Sequence, residues 1–347
     1  MIRVLVVEDS PTVSLLLKSI LDSDPEIKVI ETAKNGEEGL RKTLLYKPDL
    51  VTMDIHMPGI DGFEATRRIM SEAPRPIIIV TASFDPQEVK LSFQALEAGA
   101  LAVIEKPVGP GSPRFQENVK ELIKMVKLLA EVKVVHRRSD SRPIRRPLLV
   151  VDAANQIEVI GMGASTGGPA ALATILGGLP EHFPVPILIV QHIAAGFDAG
   201  LAEWLAASSR QHVALAQDGQ LLLPGQVLIA PQGYHLGISS SKRVILDAGS
   251  EPIGAFRPSA TYLFKSMARV FGPRAIGVIL TGMGSDGTPG LSAFHTAGGY
   301  IIAQDEASSV VYGMPGAAAA AGIVDQILPL NRIANALSAL LQMENKT

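Results

Sequence analysis

Hydrophobic positions in the first third of the chain follow two alternating patterns. Short runs of Val, Ile and Leu recur, and amphipathic stretches such as Thr12–Leu21 lie between them. Continuous apolar runs are typical of strands buried on both faces, and an apolar stripe with a helical period is typical of a helix that covers a sheet. The alternation predicts a parallel, doubly wound α/β sheet. The five predicted strands are Arg3–Val7, Lys28–Glu31, Leu50–Met53, Ile77–Val80 and Leu101–Ile104.

The same alternation resumes at Glu158. Helices are predicted at Ala170–Leu176 and Thr261–Val270, and the alanine run Ala317–Ala321 predicts a tightly packed helix. These patterns indicate a second doubly wound α/β domain with a mainly parallel sheet, in residues 156–347, after a first domain in residues 1–128. The strands predicted for the second domain are Glu158–Gly161, Ile187–Val190, Gln226–Ala230, Arg243–Leu246, Ala275–Leu280 and Tyr300–Ala303.

Residues 129–155 have a different composition from either domain. The stretch from His136 to Pro147 is basic, interrupted by proline and poor in apolar residues. We interpret this interval as a solvated interdomain linker. Nucleic-acid binding is the alternative, but the stretch contains no interleaved aromatic residues on which bases could stack.

Composition narrows the class of protein further. A net charge of −3 over 347 residues gives no electrostatic reason to expect a nucleic-acid partner. The absence of cysteine excludes disulfides, thiolate metal sites and cysteine nucleophiles. The first apolar run ends in the acids Glu8 and Asp9, unlike a signal peptide, and no segment approaches the ~20 apolar residues of a membrane span. We therefore expect a cytoplasmic protein without a membrane insertion.

Polar residues follow four of the predicted strands of the first domain. In a parallel sheet the carboxyl ends of the strands meet at one edge, so these side chains should converge. Carboxylates that converge repel one another unless a cation joins them, and oxygen ligands favour Mg²⁺. A carboxylate beside Mg²⁺ could attack a phosphoryl donor while the metal and a lysine absorb the developing charge. The residues are Glu8, Asp9, Asp54, Thr81 and Lys106.

Four stretches resemble the receiver domain of two-component signalling, namely Val7–Ser10, Met53–Gly62, Val80–Ala82 and Lys106–Pro107. The resemblance implies a flavodoxin-like (βα)5 fold in which a sensor histidine kinase phosphorylates Asp54. It also implies Mg²⁺ bound by Asp9, Asp54 and the carbonyl of His56, with Glu8 acting through water, and a phosphoryl group sensed by Thr81 and Lys106. Receivers carry an aromatic switch residue three positions before the lysine. Here that residue is Val103, which leaves open how the signal is transmitted.

A glycine-rich turn follows the first predicted strand of the second domain. A dinucleotide fingerprint, G-x-G-x-x-G, would need a third glycine where Thr166 stands, so nucleotide binding is disfavoured. The segment Gly163–Gly167 does fit G-x-S-x-G, a sharp turn that exposes a nucleophilic serine, here Ser165. The helix that follows would offer free N–H groups to an oxyanion. The alternative is a glycine-rich turn with a capping serine.

A serine nucleophile requires a base, and the base requires an orienting acid. His192 follows the predicted strand Ile187–Val190, and Asp286 lies in a glycine-rich loop after Ala275–Leu280. Both should therefore lie at the same sheet edge as Ser165. Taken singly, the histidine could be a structural hydrogen bonder and the aspartate part of a turn. The order Ser, His, Asp differs from the order in α/β-hydrolases and indicates another lineage.

Five motifs resemble the chemotaxis protein-glutamate methylesterase (CheB) family: Gly163–Pro169, Val190–Ile193, Arg257–Ser259, Leu280–Gly287 and Tyr312–Ala317. The order of receiver, linker and esterase also resembles that family. The resemblance implies Ser165 as nucleophile, His192 as general base and then acid, and Asp286 as its orienting partner. It further implies oxyanion donors at the Met283 amide and near Thr166, and a substrate-positioning role for Arg257.

The resemblance implies a phosphorylation-activated serine hydrolase without a catalytic metal. Such an enzyme would demethylate glutamyl methyl esters of methyl-accepting chemotaxis receptors and could deamidate glutamines. We expect a monomer with no nucleic-acid partner. Two other functions stay open: a catalytically silent regulator that acts by docking in a non-flagellar receptor-array pathway, and a DNA-binding response regulator. No helix-turn-helix pattern is evident to support the second.

Overall fold

The computed structural model describes residues 1–81, 86–107, 109, 111–112, 115–132, 157–194 and 196–342. They form two compact units, and the boundary between the two in the sequence falls between Ala130 and Val159. The basic stretch His136–Pro147 and most of the predicted linker lie outside the described residues, so the boundaries at 128 and 156 stay predictions. None of the helices in the described ranges combines the length and the apolar character needed to cross a membrane.

The N-terminal unit is a five-stranded sheet with the strand order β2-β1-β3-β4-β5. Each of its strand pairs is parallel, so the predicted flavodoxin-like (βα)5 fold is confirmed. The strands are β1 (Ile2–Val7), β2 (Ile27–Ala33), β3 (Leu50–Met53), β4 (Ile77–Thr81) and β5 (Ala102–Glu105). The helices are α1 (Pro11–Asp22), α2 (Gly36–Tyr46), α3 (Gly62–Glu72), α4 (Pro86–Glu97) and α5 (Phe115–Ala130).

The C-terminal unit contains a seven-stranded sheet and a separate antiparallel hairpin. Its strands are β6 (Val159–Ala164), β7 (Ile187–Gln191), β8 (His212–Leu215), β9 (Gln226–Ile229), β10 (His235–Ile238), β11 (Val244–Asp247), β12 (Ala275–Ile279), β13 (Tyr300–Gln304) and β14 (Gln326–Leu328). Its helices are α6 (Gly168–Gly178), α7 (Asp198–Ser208), α8 (Ala260–Val270), α9 (Thr288–Thr296), α10 (Met314–Ala320) and α11 (Leu330–Gln342).

The large sheet has the order β14-β13-β12-β6-β7-β9-β8, and all its strand pairs are parallel. The chain winds outward from β6 to β7 in one direction and from β12 to β13 in the other. The carboxyl ends of β6, β7 and β12 therefore surround the point where the winding direction changes, which is the usual ligand position in such sheets. The predicted doubly wound, parallel architecture is confirmed.

Helix α8 packs unusually close to β6 because two positions of that strand are glycine. A Cβ atom at Gly161 would collide with the sulfur of Met267, and one at Gly163 would lie 2.8 Å from Cβ of Ala260. Close packing against α8 therefore explains why Gly161 and Gly163, the two glycines that fit the dinucleotide fingerprint, occur in this strand. The close approach brings the N-terminus of α8 to the carboxyl end of β6.

Candidate functional site

Three carboxylates converge at the carboxyl ends of β1 and β3. Oxygen atoms of Glu8, Asp9 and Asp54 all lie within 4.8 Å of one another. Glu8 and Asp54 are buried, whereas Asp9 is exposed. The ammonium of Lys106 lies 2.9 Å from Oε2 of Glu8 and 2.9 Å from Oδ2 of Asp54. The structure thus brings together four of the residues that the sequence analysis placed at this edge.

The electrostatics of this cluster are unbalanced. Burial raises the pKa of Asp54, and Lys106 only partly opposes that effect. Burial also raises the pKa of Glu8, and the neighbouring charge of Asp54 raises it further. One ammonium faces three carboxylates in a poorly solvated place, so a second cation would be bound favourably.

The remaining residues expected at this edge lie next to the cluster. Thr81 ends β4, is buried, and accepts the backbone N–H of Lys106 at 2.7 Å through its carbonyl oxygen. The backbone N–H of His56 hydrogen-bonds the carboxylate of Asp54. Val103, at the usual aromatic switch position, lies in β5 opposite Ile79 of β4. Ala82, which completes the matching stretch Val80–Ala82, lies outside the described residues.

Ser165 directly follows β6 and begins a tight turn into α6. Its backbone N–H donates to the carbonyl of Thr281 at 3.0 Å, and its carbonyl accepts the N–H of Gly168 at 2.8 Å. Gly167 has a φ of +77°, and a Cβ atom there would lie 2.6 Å from Cγ2 of Val310. The glycine of G-x-S-x-G is therefore required both by the backbone conformation and by the close neighbour.

His192 follows β7, the strand next to β6 in the sheet. Its N–H donates to the carbonyl of Ala164 at 3.0 Å, which ties it to the residue before the serine. Gln191 strengthens this connection, because its Nε2 donates to the carbonyls of Ser165 at 2.8 Å and of His192 at 2.7 Å. Gln191 was not among the predicted site residues. The signal was an amide at the last position of an otherwise apolar buried strand, where a polar side chain needs internal partners.

The imidazole of His192 bonds Asp286 through Nε2, at 2.9 Å from Oδ2. A carboxylate only accepts hydrogen bonds, so we assign the ring proton to Nε2. That tautomer leaves a lone pair on Nδ1. This atom is buried and has no hydrogen-bond partner among the described residues. The ring therefore has one oriented nitrogen and one nitrogen available as a base.

Asp286 belongs to the loop after β12, and its carboxylate lies at the N-terminus of α8. Its Oδ1 accepts the hydroxyl of Ser259 at 2.6 Å and the N–H of Thr261 at 3.2 Å, and its Oδ2 accepts the N–H of Ala260 at 2.7 Å. Burial alone would raise the pKa of this carboxyl, but hydrogen bonds from His192, Ser259 and Thr261 lower it well below its usual range. Asp286 is thus an ionised partner for the imidazole.

Ser259 belongs to the motif Arg257–Ser259, but no role was predicted for it. Its position immediately before an amphipathic helix was a detectable signal, because serine is a preferred N-cap residue. Its side chain caps α8, since its oxygen accepts the N–H of Thr261 at 3.1 Å. That this cap would also hold Asp286 could not be read from the local pattern.

Two family models match the chain. The CheB methylesterase model matches residues 160–337, and the response regulator receiver domain model matches residues 4–114. The chain belongs to the CheB methylesterase family. The resemblance noted in the sequence is therefore confirmed.

Relatives of this CheB-family chain match it along almost its whole length. One from Myxococcus xanthus, named protein-glutamate methylesterase/protein-glutamine glutaminase 4, is 46% identical over 342 residues and covers 97% of this chain and 96% of the relative. One from Anaeromyxobacter dehalogenans, bearing the same name with the number 3, is 47% identical and covers 99% of this chain and 100% of the relative. The crystal structure of the Thermotoga maritima CheB methylesterase catalytic domain matches with a TM-score of 0.52 and 39% identity, over 53% of this chain and 99% of that one.

The loop after β12 of this CheB-family chain lies against Ser165. A Cβ atom at Gly282 would lie 2.8 Å from Cβ of Ser165, so only glycine allows this approach. Among the hydrogen bonds of the described residues, none uses the N–H of the next residue, Met283. Thr166 is buried, and its carbonyl accepts the hydroxyl of Thr281 at 2.9 Å. Gly282 thus lies beside Ser165, and Thr166 follows it in the turn. The oxyanion roles of the Met283 N–H and of Thr166 stay predictions.

Arg257 makes its contacts with a loop of its own unit. Its Nη1 donates to the carbonyls of Ala248 at 2.8 Å and of Ser250 at 3.1 Å. These bonds hold together the connection between β11 and α8. The predicted contact of Arg257 with substrate stays a prediction.

Proposed function

We propose that this chain is a phosphorylation-activated protein-glutamate methylesterase that acts on methyl-accepting chemotaxis receptors. The observation that carries this proposal is the arrangement of Ser165, His192 and Asp286. A serine on a G-x-S-x-G turn lies one strand away from an imidazole whose Nε2 is bound by an ionised carboxylate. Family membership and the names of the relatives support the same activity.

In this mechanism Nδ1 of His192 removes the hydroxyl proton of Ser165 as Oγ attacks the carbonyl carbon of a glutamyl methyl ester. The imidazolium that forms is stabilised by Asp286. Collapse of the tetrahedral intermediate breaks the bond to methoxide, which leaves as methanol with the proton from Nδ1. A water molecule then hydrolyses the acyl-enzyme by the same proton transfers and releases the glutamate carboxylate.

The developing oxyanion needs donors close to Oγ of Ser165. We assign this role to the N–H of Met283 and to the turn at Thr166, because Met283 follows Gly282, which lies against Ser165, and Thr166 follows the serine directly. The N-terminus of α6 begins three residues after Ser165 and adds a favourable electrostatic field. A glutamine side chain would pass through a similar intermediate and release ammonia. Deamidation is therefore a second reaction of the same site, in keeping with the relatives' names.

For the N-terminal unit we propose that a sensor histidine kinase donates a phosphoryl group to Asp54. The acidic cluster fits Mg²⁺, because three converging carboxylate oxygens are hard ligands and burial has raised the pKa of two of these carboxyls. Asp9, Asp54 and the carbonyl of His56 would hold the ion, with Glu8 acting through water. Bound Mg²⁺ supplies charge neutralisation for phosphoryl transfer. Lys106 adds a second positive charge, and the hydroxyl of Thr81 would bond the phosphoryl oxygen.

The remaining partner assignments rest on the sequence. We propose a cytoplasmic monomer that neither binds nucleic acid nor inserts into a membrane. The net charge of −3 argues against nucleic-acid binding, and the absence of a long apolar run argues against membrane insertion. Sedimentation of the purified chain tests the monomer, and binding to a DNA fragment at low salt tests the absence of nucleic-acid affinity.

Methanol release from methylated receptor cytoplasmic fragments tests the esterase. We expect release by the wild-type chain and a loss of at least about 1,000-fold in Ser165→Ala. Ser241→Ala is the matched control, because Ser241 is exposed in the turn of the β10–β11 hairpin. If Ser165→Ala released methanol at the wild-type rate, the triad would not be the catalyst.

The same assay with a small-molecule phosphodonor and Mg²⁺ tests control by the N-terminal unit. We expect the phosphodonor to raise the rate in the wild type, and the ratio of rates with and without it to fall to one in Asp54→Ala. Asp49→Ala is the matched control, because Asp49 precedes β3 whereas Asp54 follows it. Stimulation that persisted in Asp54→Ala would exclude Asp54 as the phosphoacceptor.

A further inference from the structure

One face of the His192 imidazole is covered by the ring of Phe256. The two ring centroids lie 3.9 Å apart and the ring planes differ by 3°, which is a parallel stack. Phe256 directly precedes the motif Arg257–Ser259 and was not among the predicted site residues. Resting on the function proposed above, we propose that Phe256 is a positioning residue, which holds the plane of the catalytic imidazole and so fixes the direction of its free nitrogen, Nδ1, for proton transfer from Ser165.

The hydrogen bond to Asp286 cannot hold the ring plane by itself. A bond at Nε2 restrains one edge of the ring, and the imidazole can still tilt about that point and change the direction of the Nδ1 lone pair. A flat aromatic face at stacking distance opposes such a tilt. Small displacements of a base are costly, because proton transfer requires close and aligned heavy atoms.

The stack should also stabilise the protonated, positively charged form of the His192 ring. During acylation the imidazole becomes an imidazolium, and the face of an aromatic ring attracts a cation held over it. Phe256 is half-buried, so it also keeps water from one face of the ring beside Asp286. Both effects act on the step in which Ser165 loses its proton.

Phe256 lies in residues 248–257, which form most of the connection between β11 and α8 and which we call the Phe256 loop. At its beginning, the carboxylate of Asp247 accepts the N–H groups of Gly249 and Ser250, each at 2.9 Å. Near its end, Ile253 and Phe256 exchange backbone hydrogen bonds at 3.1 and 3.2 Å around Gly254, whose φ is +64°. Phe256 therefore lies at the base of a closed turn rather than on a free strand.

Further bonds tie the Phe256 loop together and to the neighbouring hairpin. Nη1 of Arg257 holds two carbonyls at the beginning of the loop, and the carbonyl of Arg257 accepts the N–H of Gly233 at 3.2 Å. Nε2 of His235, which is buried in β10, lies 3.1 Å from the carbonyl of Glu251. The loop is thus restrained at both ends and in the middle, as a support for a fixed aromatic face should be.

The test uses the full-length chain and a fluorophosphonate probe, which does not depend on any receptor. Oγ of Ser165 forms a bond to phosphorus, the P–F bond breaks, fluoride leaves, and the hydroxyl proton passes to His192. We expect Phe256→Leu and Phe256→Met to lower the labelling rate about 10- to 100-fold. Phe256→Tyr keeps the aromatic face and should stay within about threefold of the wild type.

Phe271→Leu is the matched control, because Phe271 is a buried phenylalanine that stacks on no histidine in the described part of the chain. It should lower thermal stability while the labelling rate stays near that of the wild type. Proton NMR of histidine-labelled chain reports the stack directly. The ring-current shift of the His192 carbon-bound protons should persist in Phe256→Tyr and vanish in Phe256→Leu.

The outcomes separate this proposal from the function on which it rests. Folded Phe256→Leu and Phe256→Met chains that label as fast as the wild type would overturn the positioning role, as would an equal loss in Phe256→Tyr. If the stack matters for labelling but no variant releases methanol from receptor fragments, the proposed substrate fails and the positioning role stands. On receptor fragments the loss in Phe256→Leu should fall on kcat, because KM depends on contacts with the substrate; a loss confined to KM would contradict the proposal.

Discussion

The two polar sites of this chain both lie at carboxyl ends of parallel strands, yet burial affects their carboxylates in opposite ways. At Asp54 and Glu8 burial raises the pKa, because a single ammonium serves the cluster. At Asp286 the same desolvation is outweighed, and hydrogen bonds from His192, Ser259 and Thr261 lower the pKa. The decisive difference is the number of donors that the chain itself supplies.

The comparison separates a site that needs an added ion from one that is complete. The acidic cluster contains three carboxylates and only one ammonium. The stability of the N-terminal unit and the chemistry of Asp54 should therefore depend on a cation from solution. The hydrolytic site has its acid, base and supporting bonds within one unit, so its geometry should not depend on any additive.

Asp286→Asn should damage the complete site most. The amide of asparagine would place an N–H group opposite one of the donors that now bond to Asp286. It would also no longer select the Nε2–H tautomer of His192. We expect kcat for methanol release to fall on the order of 10⁴-fold. Asp325→Asn, at a half-buried carboxylate that accepts the N–H of Ile301, is the matched control. A loss below tenfold in Asp286→Asn would show that this carboxylate does not set the state of the imidazole.

Gln191→Met should have an intermediate effect. Methionine keeps the length of the side chain but removes the donors that join the carbonyls of Ser165 and His192. We expect kcat to fall about 10- to 100-fold, since the nucleophile and the base lose a common anchor. Gln211→Met removes another buried amide, which donates to Pro180, and should leave kcat close to the wild-type value. Equal kcat values for the two variants would remove Gln191 from the machinery.

The effect of pH on the stability of the N-terminal unit should be smaller than the losses of activity above. Its sign should be opposite to that expected for a carboxylate whose pKa is lowered on folding. Because the folded-state pKa values of Glu8 and Asp54 are raised, the folded unit binds more protons than the unfolded chain between the unfolded and folded pKa values. Its stability should therefore fall as pH rises through that interval, and the loss should be complete above the folded values. Mg²⁺ should restore stability above the interval, where the carboxylates are ionised.

Hydrogen exchange of peptides from β1 and β3 in the full-length chain measures this effect. Millimolar Mg²⁺ should increase protection at neutral pH more than at about pH 5, after correction for intrinsic exchange rates. Peptides from β6 and β7, which carry the complete site, serve as the internal control and should not respond. An equal response in both units would remove the distinction between them.

Asp54→Asn should produce the smallest effect, a rise of a few degrees in the Tm of the N-terminal unit without Mg²⁺. A neutral amide is not penalised by burial as the carboxylate is, and Lys106 retains Glu8 as a partner. Asp49→Asn, at the exposed opposite end of β3, should give no such rise. A lower Tm in Asp54→Asn would mean that the ion pair with Lys106 outweighs the cost of burial.

Sequence patterns predicted the two sheets well where strands are buried on both faces. They missed β8 and β14, the edge strands of the large sheet, which are short and partly exposed and lack a continuous apolar run. They also missed β10, which contains His235 and Gly237. The histidine is buried there because it stacks on Tyr262, a partner 27 residues away that no local pattern reveals.

The residues of the site were predictable where they directly follow a predicted buried strand. Ser165, His192 and Asp286 could be placed together because each follows a predicted strand of one sheet. Gln191 and Phe256 act through side chains that meet residues from other elements, and only the folded structure brings those partners together. The domain boundaries at 128 and 156, the consequence of Val103 and the contact of Arg257 with substrate stay predictions.

Asp286 supports the N-terminus of α8 as well as the imidazole of His192. The aspartate accepts three donors from the start of that helix in addition to the imidazole, so it contributes to folding even in a chain that hydrolyses nothing. A descendant that abandoned catalysis would be free to lose Ser165 long before it could lose Asp286. When inactive members of such a lineage are sought, a retained aspartate is therefore poor evidence of activity, and the serine is the residue to inspect.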